Sequence, residues 1–183
     1  MRRGLPLAYP GMRIGLFGGS FDPAHAGHAH VAETALKRLN LDRVWWLVSP
    51  QNPLKAKSSP FEARMNSAQA QAGGGRMLVT DFEQRFGCAY TYQTIRKLKQ
   101  LYPGVQFTLI MGADNLANFR KWRKWQEVAE AVPVAVVSRP GAKPGCRIAA
   151  PKGWRHLNVR HNPQSSTALR GAGGAKLAKP GRK

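Results

Sequence analysis

Apolar residues along this chain fall into two alternating rhythms. Short dense runs at 12–17, 44–48, 77–80, 105–111 and 133–137 are bounded by turn residues and have the length and composition of buried strands. Between them the apolar positions follow a helical period. Val31, Ala32, Ala35, Leu36 and Leu39 mark a helix from near Gly27 to near Asn40, and helical patterns recur at about 60–71, 91–101 and 122–131. Strands alternating with helices predict an α/β fold with a mostly parallel sheet and helices on both faces.

Beyond Ser138-Arg139-Pro140-Gly141 the pattern weakens. The chain is Gly/Pro-rich through Gly153, then offers a faint strand at 155–159 and a short helix from near Ser165. A Gly/Ala/Lys-rich tail at 171–183 is predicted to be flexible and basic. The length fits one domain over 1–183, with its core at about 12–170, and the pattern does not set an oligomeric state.

Composition narrows the setting. A hydrophobic fraction of 43% with five Trp excludes disorder as the default. The N-terminal stretch develops no apolar run of signal-peptide length before Pro10, and nowhere do roughly 18 apolar residues follow one another, so no membrane is expected. Cys88 and Cys146 form no CxxC pattern. A reducing, cytoplasmic location follows.

The formal charge is +20, from 29 Lys and Arg against 9 Asp and Glu. Such an excess suits nucleic acid, but it also suits a site that handles polyphosphate, and part of it lies in the terminal segments. No signature of a DNA- or RNA-binding module is present, so nucleic-acid binding is expected to be at most non-specific.

The first predicted strand ends in Gly18-Gly19-Ser20, at the carboxyl edge of the sheet where glycines let backbone N–H groups approach phosphate oxygens. His25-Ala26-Gly27-His28 follows and puts two imidazoles three residues apart at a helix start. Three other readings fit the same residues: a metal site of His25, His28 and His30, ordinary surface histidines, or a glycine turn of the kind many folds use. Farther on, Gly112-Ala113-Asp114 leaves a strongly apolar strand, so Asp114 falls at the same sheet edge, able to accept from ribose hydroxyls, to hold magnesium-bound water or to cap a helix. Ser165-Ser166-Thr167 precedes a predicted helix with Arg170 one turn on, which suits an anion site as well as an N-cap.

The whole string GGSFDPAHAGH resembles the signature of the HxGH nucleotidyltransferase superfamily, and specifically the GG(S/T)FDPxHxGH of the nicotinate-mononucleotide adenylyltransferases. Tyr90-Thr91, Gly112-Ala113-Asp114-Asn115-Leu116 and Ser165-Ser166-Thr167-Ala168-Leu169-Arg170 resemble three further family segments in the same order. The likeness thus spans about residues 12–170. Gln164 departs from it, standing where the family often has an apolar residue.

The resemblance implies a Rossmann-like fold and adenylyl transfer from ATP to nicotinate mononucleotide, with His25, His28 and Arg170 carrying the chemistry. ATP would lie on Gly18, Gly19, Ser20, Phe21, His25, His28, Gly112, Asp114, Ser165, Ser166, Thr167 and Arg170. Nicotinate mononucleotide would meet Lys55, Thr91, Trp122 and Arg139, with the Trp122 ring stacking on the pyridine. Mg2+ is expected to arrive with ATP and to need no dedicated protein cage. Two alternatives are a different HxGH transferase, specific for pantetheine phosphate or a cytidine nucleotide, and a basic RNA-binding protein built on the same fold. Trp45, Trp46 and Trp125 are expected to pack in the core or between helices.

Overall fold

The computed structural model describes residues 5–50, 58–138 and 154–158. In chain order the elements are β1 (Arg13–Gly19), α1 (Ala26–Arg38), β2 (Arg43–Val48), α2 (Phe61–Ala72), β3 (Met77–Thr80), α3 (Phe82–Arg85) and α4 (Thr91–Leu101). Then come β4 (Gln106–Gly112), α5 (Ala113–Asn118), a 3-10 turn at Phe119–Lys121, α6 (Trp125–Ala131), β5 (Val134–Ser138) and β6 (Arg155–Asn158).

The six strands form one sheet in the order β3-β2-β1-β4-β5-β6, and every neighbouring pair is parallel. All carboxyl ends therefore lie along one edge. The chain winds outward in opposite directions from the central pair β1 and β4, so a crevice opens between their carboxyl ends, the place where open parallel sheets bind ligands.

The pleat sends consecutive side chains to opposite faces, and two adjacent tryptophans show what that does to the core. Trp45 packs edge-on to Tyr102 and Phe107 on the face that also holds Leu16, Leu109 and Ile95 and Leu98 of α4. Trp46 packs against Phe17 and Phe21 on the other face, with Val31, Ala32 and Ala35 of α1 and Ala68 of α2. Both tryptophans are 0% exposed, as expected of core residues. Trp125 rests partly buried against Phe119.

Each apolar run became a strand within one or two residues of its predicted limits, including the faint one at Arg155–Asn158. Three short elements were not anticipated: α3, α5 and the 3-10 turn. The helix expected over 122–131 begins only at Trp125, because Trp122 is extended and Lys124 sits in the left-handed region at φ +54°. The helix expected from Ser165 and the basic tail lie outside the described residues. No helix among the described residues is long and apolar enough to cross a membrane.

Candidate active site

β1 runs into the crevice and stops at two glycines with different surroundings. A Cβ on Gly18 would meet nothing within 4 Å, so that strand end is bare on the side where a ligand could approach its backbone. A Cβ on Gly19 would stand 3.0 Å from the Phe21 ring. Phe21 takes a left-handed φ of +48° and turns its ring inward onto Phe17, Trp46 and His28, where it is 2% exposed. Its ring thus supports the turn from below, and what Phe21 offers to a ligand is backbone. The Ser49 N–H donates to the Gly19 carbonyl at 3.0 Å and ties this turn to the end of β2.

The two histidines cap α1 reciprocally. The Gly27 N–H donates to His25 Nδ1 at 3.0 Å, and the His25 N–H donates to His28 Nδ1 at 3.2 Å. A helix start has N–H groups without intrahelical partners, and here imidazole nitrogens supply acceptors in place of the usual Ser or Asp. Accepting through Nδ1 assigns the proton of each neutral ring to Nε2. The rings lie 4.0 Å apart between centroids, and His25 is 3% exposed. Two Nε2–H donors are thereby paired beside the glycine turn. Among the described residues no group of three or more His, Cys, Asp and Glu side chains is arranged to hold a metal ion, so the triad of His25, His28 and His30 is not assembled.

Across the crevice, β4 ends at Gly112, the N-cap of α5, and Asp114 follows at the second position of that helix. Thr91 opens α4, whose start is capped by Gln93: its Oε1 accepts from the N–H groups of Ala89 and Tyr90 at 3.0 and 3.1 Å. Since α4 returns from β3 toward the beginning of β4, its first turn lies at the carboxyl edge of the sheet. The buried Glu83 of α3 holds it there, accepting from the Thr94 hydroxyl at 2.9 Å and hydrogen-bonding with the Ser49 side chain. Burial raises the Glu83 pKa, and the two hydrogen bonds pull against that rise.

Trp122 lies partly buried beside Phe119, ring centroids 5.3 Å apart. Its neighbours join it to the start of α4. The Arg123 guanidinium sits 5.0 Å from the Tyr90 ring centre, the Lys124 ammonium 4.9 Å from that of Tyr92, and Arg96 pairs with Glu127. Thr91 and Trp122 therefore belong to one locally braced surface.

Both the sequence and the fold are similar to those of known proteins. Residues 16–172 match the cytidylyltransferase-like family. The probable nicotinate-nucleotide adenylyltransferase of Roseobacter denitrificans is 46% identical over 95% of this chain and 99% of its own length. The chain belongs to the nicotinate-nucleotide adenylyltransferases. A second adenylyltransferase of the family, the probable enzyme of Caulobacter sp. strain K31, is 53% identical over 86% of this chain and 84% of its own. The fold is also that of the Plasmodium falciparum nicotinic acid mononucleotide adenylyltransferase complexed with NaAD, at a TM-score of 0.71 and 19% identity over 87% of this chain and 83% of that one.

Of the residues expected to serve this adenylyltransferase site, Gly18, Gly19, Ser20, Phe21, His25, His28 and Gly112 come together at the crevice, with the backbone of Asp114. Thr91 and Trp122 share the second surface. Lys55, Arg139, Ser165, Ser166, Thr167 and Arg170 lie outside the described residues.

One residue at the site escaped the sequence reading. Arg64 of α2 is 2% exposed and donates to four backbone carbonyls, those of Ser20, Ser49, Pro50 and Ser59. Burial lowers its pKa, while the charge of Asp22 acts in the opposite sense. A signal was present: Arg64 lies four and eight residues before Ala68 and Ala72, and so on the apolar face of the predicted helix.

Proposed function

We propose that this chain transfers the adenylyl group of ATP to nicotinate mononucleotide, giving deamido-NAD and pyrophosphate, as a cytoplasmic step of NAD biosynthesis. The observation that carries the reading is the reciprocal histidine cap. It pairs two Nε2–H donors at the point where a parallel sheet reverses its winding, in a chain that belongs to this family.

A phosphate oxygen of the mononucleotide attacks the α-phosphorus of ATP. One P–O bond forms, the bond from the α-phosphorus to the bridging oxygen breaks, and pyrophosphate leaves with its magnesium. The attacking phosphate is already ionised and needs no general base. Catalysis then consists of alignment and of stabilising charge that grows on the phosphate oxygens.

His25 and His28 donate to the triphosphate from beside the bare strand end at Gly18, and Gly112 with Asp114 meets the adenosine half across the crevice. Ser165, Ser166, Thr167 and Arg170 complete the ATP side. Thr91 and Trp122 take the nicotinate ring, and Lys55 and Arg139 its phosphate. Mg2+ enters as part of the ATP substrate.

Pyrophosphate release tests the proposal, measured with ATP and magnesium while nicotinate mononucleotide, nicotinamide mononucleotide and phosphopantetheine are offered separately. Release should depend on nicotinate mononucleotide. No release with any of the three would overturn the reading, and release with phosphopantetheine alone would reassign the substrate.

A further inference from the structure

The inward face of α2 carries a cation where packing alone would place an apolar residue. Ala68 and Ala72 of that face meet the sheet, and one turn before them Arg64 is almost wholly enclosed. A buried guanidinium is costly unless its N–H groups find acceptors, and here they do. Nη1 donates to the carbonyls of Ser20 at 3.0 Å and Ser49 at 2.6 Å, Nη2 to Pro50 at 2.6 Å, and Nε to Ser59 at 3.0 Å.

These acceptors belong to three separate segments, all on the carboxyl-end side of the sheet. Ser20 continues the glycine turn, Ser49-Pro50 is where β2 leaves the sheet, and Ser59 leads into α2. The Ser59 N–H also donates to the Asp22 carboxylate at 3.2 Å, and one turn beyond Arg64 the Ser67 hydroxyl accepts from the Ala24 N–H at 2.8 Å. A single helix face thus grips the 20–24 turn at both ends, immediately before the histidine cap.

Resting on the function proposed above, we infer that Arg64 is a positioning residue for adenylyl transfer: its guanidinium sets the turn that presents His25 and His28 against the carboxyl end of β2. A planar group with five N–H donors can reach diverging carbonyls at once. A lysine ammonium is a compact point charge that cannot reproduce that spread.

Three measurements on the full chain test this, using Arg64→Lys and Arg64→Ala. With substrate contacts intact and alignment lost, Arg64→Lys should turn over about ten- to a hundredfold more slowly, with the KM for each substrate within about threefold of wild type. Amide hydrogen exchange at Ser49 and Ala24 should quicken at least about tenfold while the β4 amides stay unchanged. Methylguanidinium at tens of millimolar should restore part of the turnover of Arg64→Ala and none to wild type.

A folded Arg64→Lys protein with wild-type turnover would overturn the inference, as would a lowered Tm with unchanged turnover of the folded fraction. Should wild type itself form no product, the functional reading fails separately. Unchanged exchange at Ser49 and Ala24 would then dispose of the positioning role as well.

Discussion

On the proposed function, His28 would do two jobs with one ring. Its Nδ1 receives the His25 N–H and secures the helix start, while its Nε2–H is the donor assigned to the triphosphate. Alanine removes both, so the loss of cap and the loss of donor must be separated. His28→Ala should lower turnover by about two to three orders of magnitude, the scale of losing one preorganised donor to developing charge, and should lower stability by about 1 kcal/mol for the cap. His28→Asn keeps an acceptor near Nδ1 and lacks the distal donor, so its Tm should return toward wild type while turnover stays low. Near-normal turnover in the asparagine variant would remove His28 from the chemistry. The reciprocal cap was half visible beforehand: HxGH spacing announces two imidazoles at a helix start, but which nitrogen meets the backbone is a matter of three-dimensional geometry. Arg64 was harder to see, because a lone arginine in a helical pattern usually extends to solvent, and only the carbonyls gathered from distant segments make its burial tolerable.

Elements were legible in proportion to how strongly burial dictates their composition. β1, β2 and β4 are covered on both faces, so their sequences are nearly continuous apolar runs with little room for another interpretation. α3, α5 and the 3-10 turn are too short to establish a period, and the late start of α6 follows from one left-handed residue, Lys124, whose identity does not announce it. α3 nonetheless carries Glu83, which binds the end of β2 to the first turns of α4 through Ser49 and Thr94. Burial favours its neutral form, so its folded pKa lies above the unfolded one. The contribution of Glu83 to stability is therefore full below the ordinary carboxylate range and is lost as pH rises through the raised folded value. Each tenfold difference in proton affinity between the two states is worth about 1.4 kcal/mol. Glu83→Gln removes the titration and keeps an acceptor for Thr94, so its Tm relative to wild type should climb as pH rises from the ordinary carboxylate range through the raised folded value. Thermal melts of both proteins across that range measure the difference, in which all other titrating groups cancel. A difference that stays constant with pH would mean that Glu83 does not titrate as its burial dictates.

At the scale of the whole molecule the charge of +20 needs an account beyond the site. Nine acidic residues can neutralise at most nine of the 29 cations. Exposed basic side chains are distributed over separate elements, with Lys37 and Arg38 on α1, Arg76 before β3, Arg85 on α3, Lys99 on α4, and Arg120 and Lys121 in the 3-10 turn. Spread over separate elements in this way, the basic side chains of the described residues would attract any polyanion without preference. Binding to an unrelated single-stranded RNA should then be counterion release alone, with log affinity falling by about 0.7 for each neutralised phosphate per decade of salt. For four or five phosphates that is a loss of roughly two to three orders of magnitude between 50 and 300 mM KCl, equal for different sequences. ATP and the mononucleotide are also anionic, but in the proposed site directional hydrogen bonds within a crevice would hold them, where screening at a Debye length of about 8 Å reaches less. Their KM values should therefore rise less than about tenfold over the same range. Fluorescence anisotropy on two RNA sequences, run beside the pyrophosphate assay in the same buffers, compares the two kinds of binding directly. RNA affinity that survives 300 mM salt, or that differs by an order of magnitude between sequences, would show that the basic surface has a selected nucleic-acid partner.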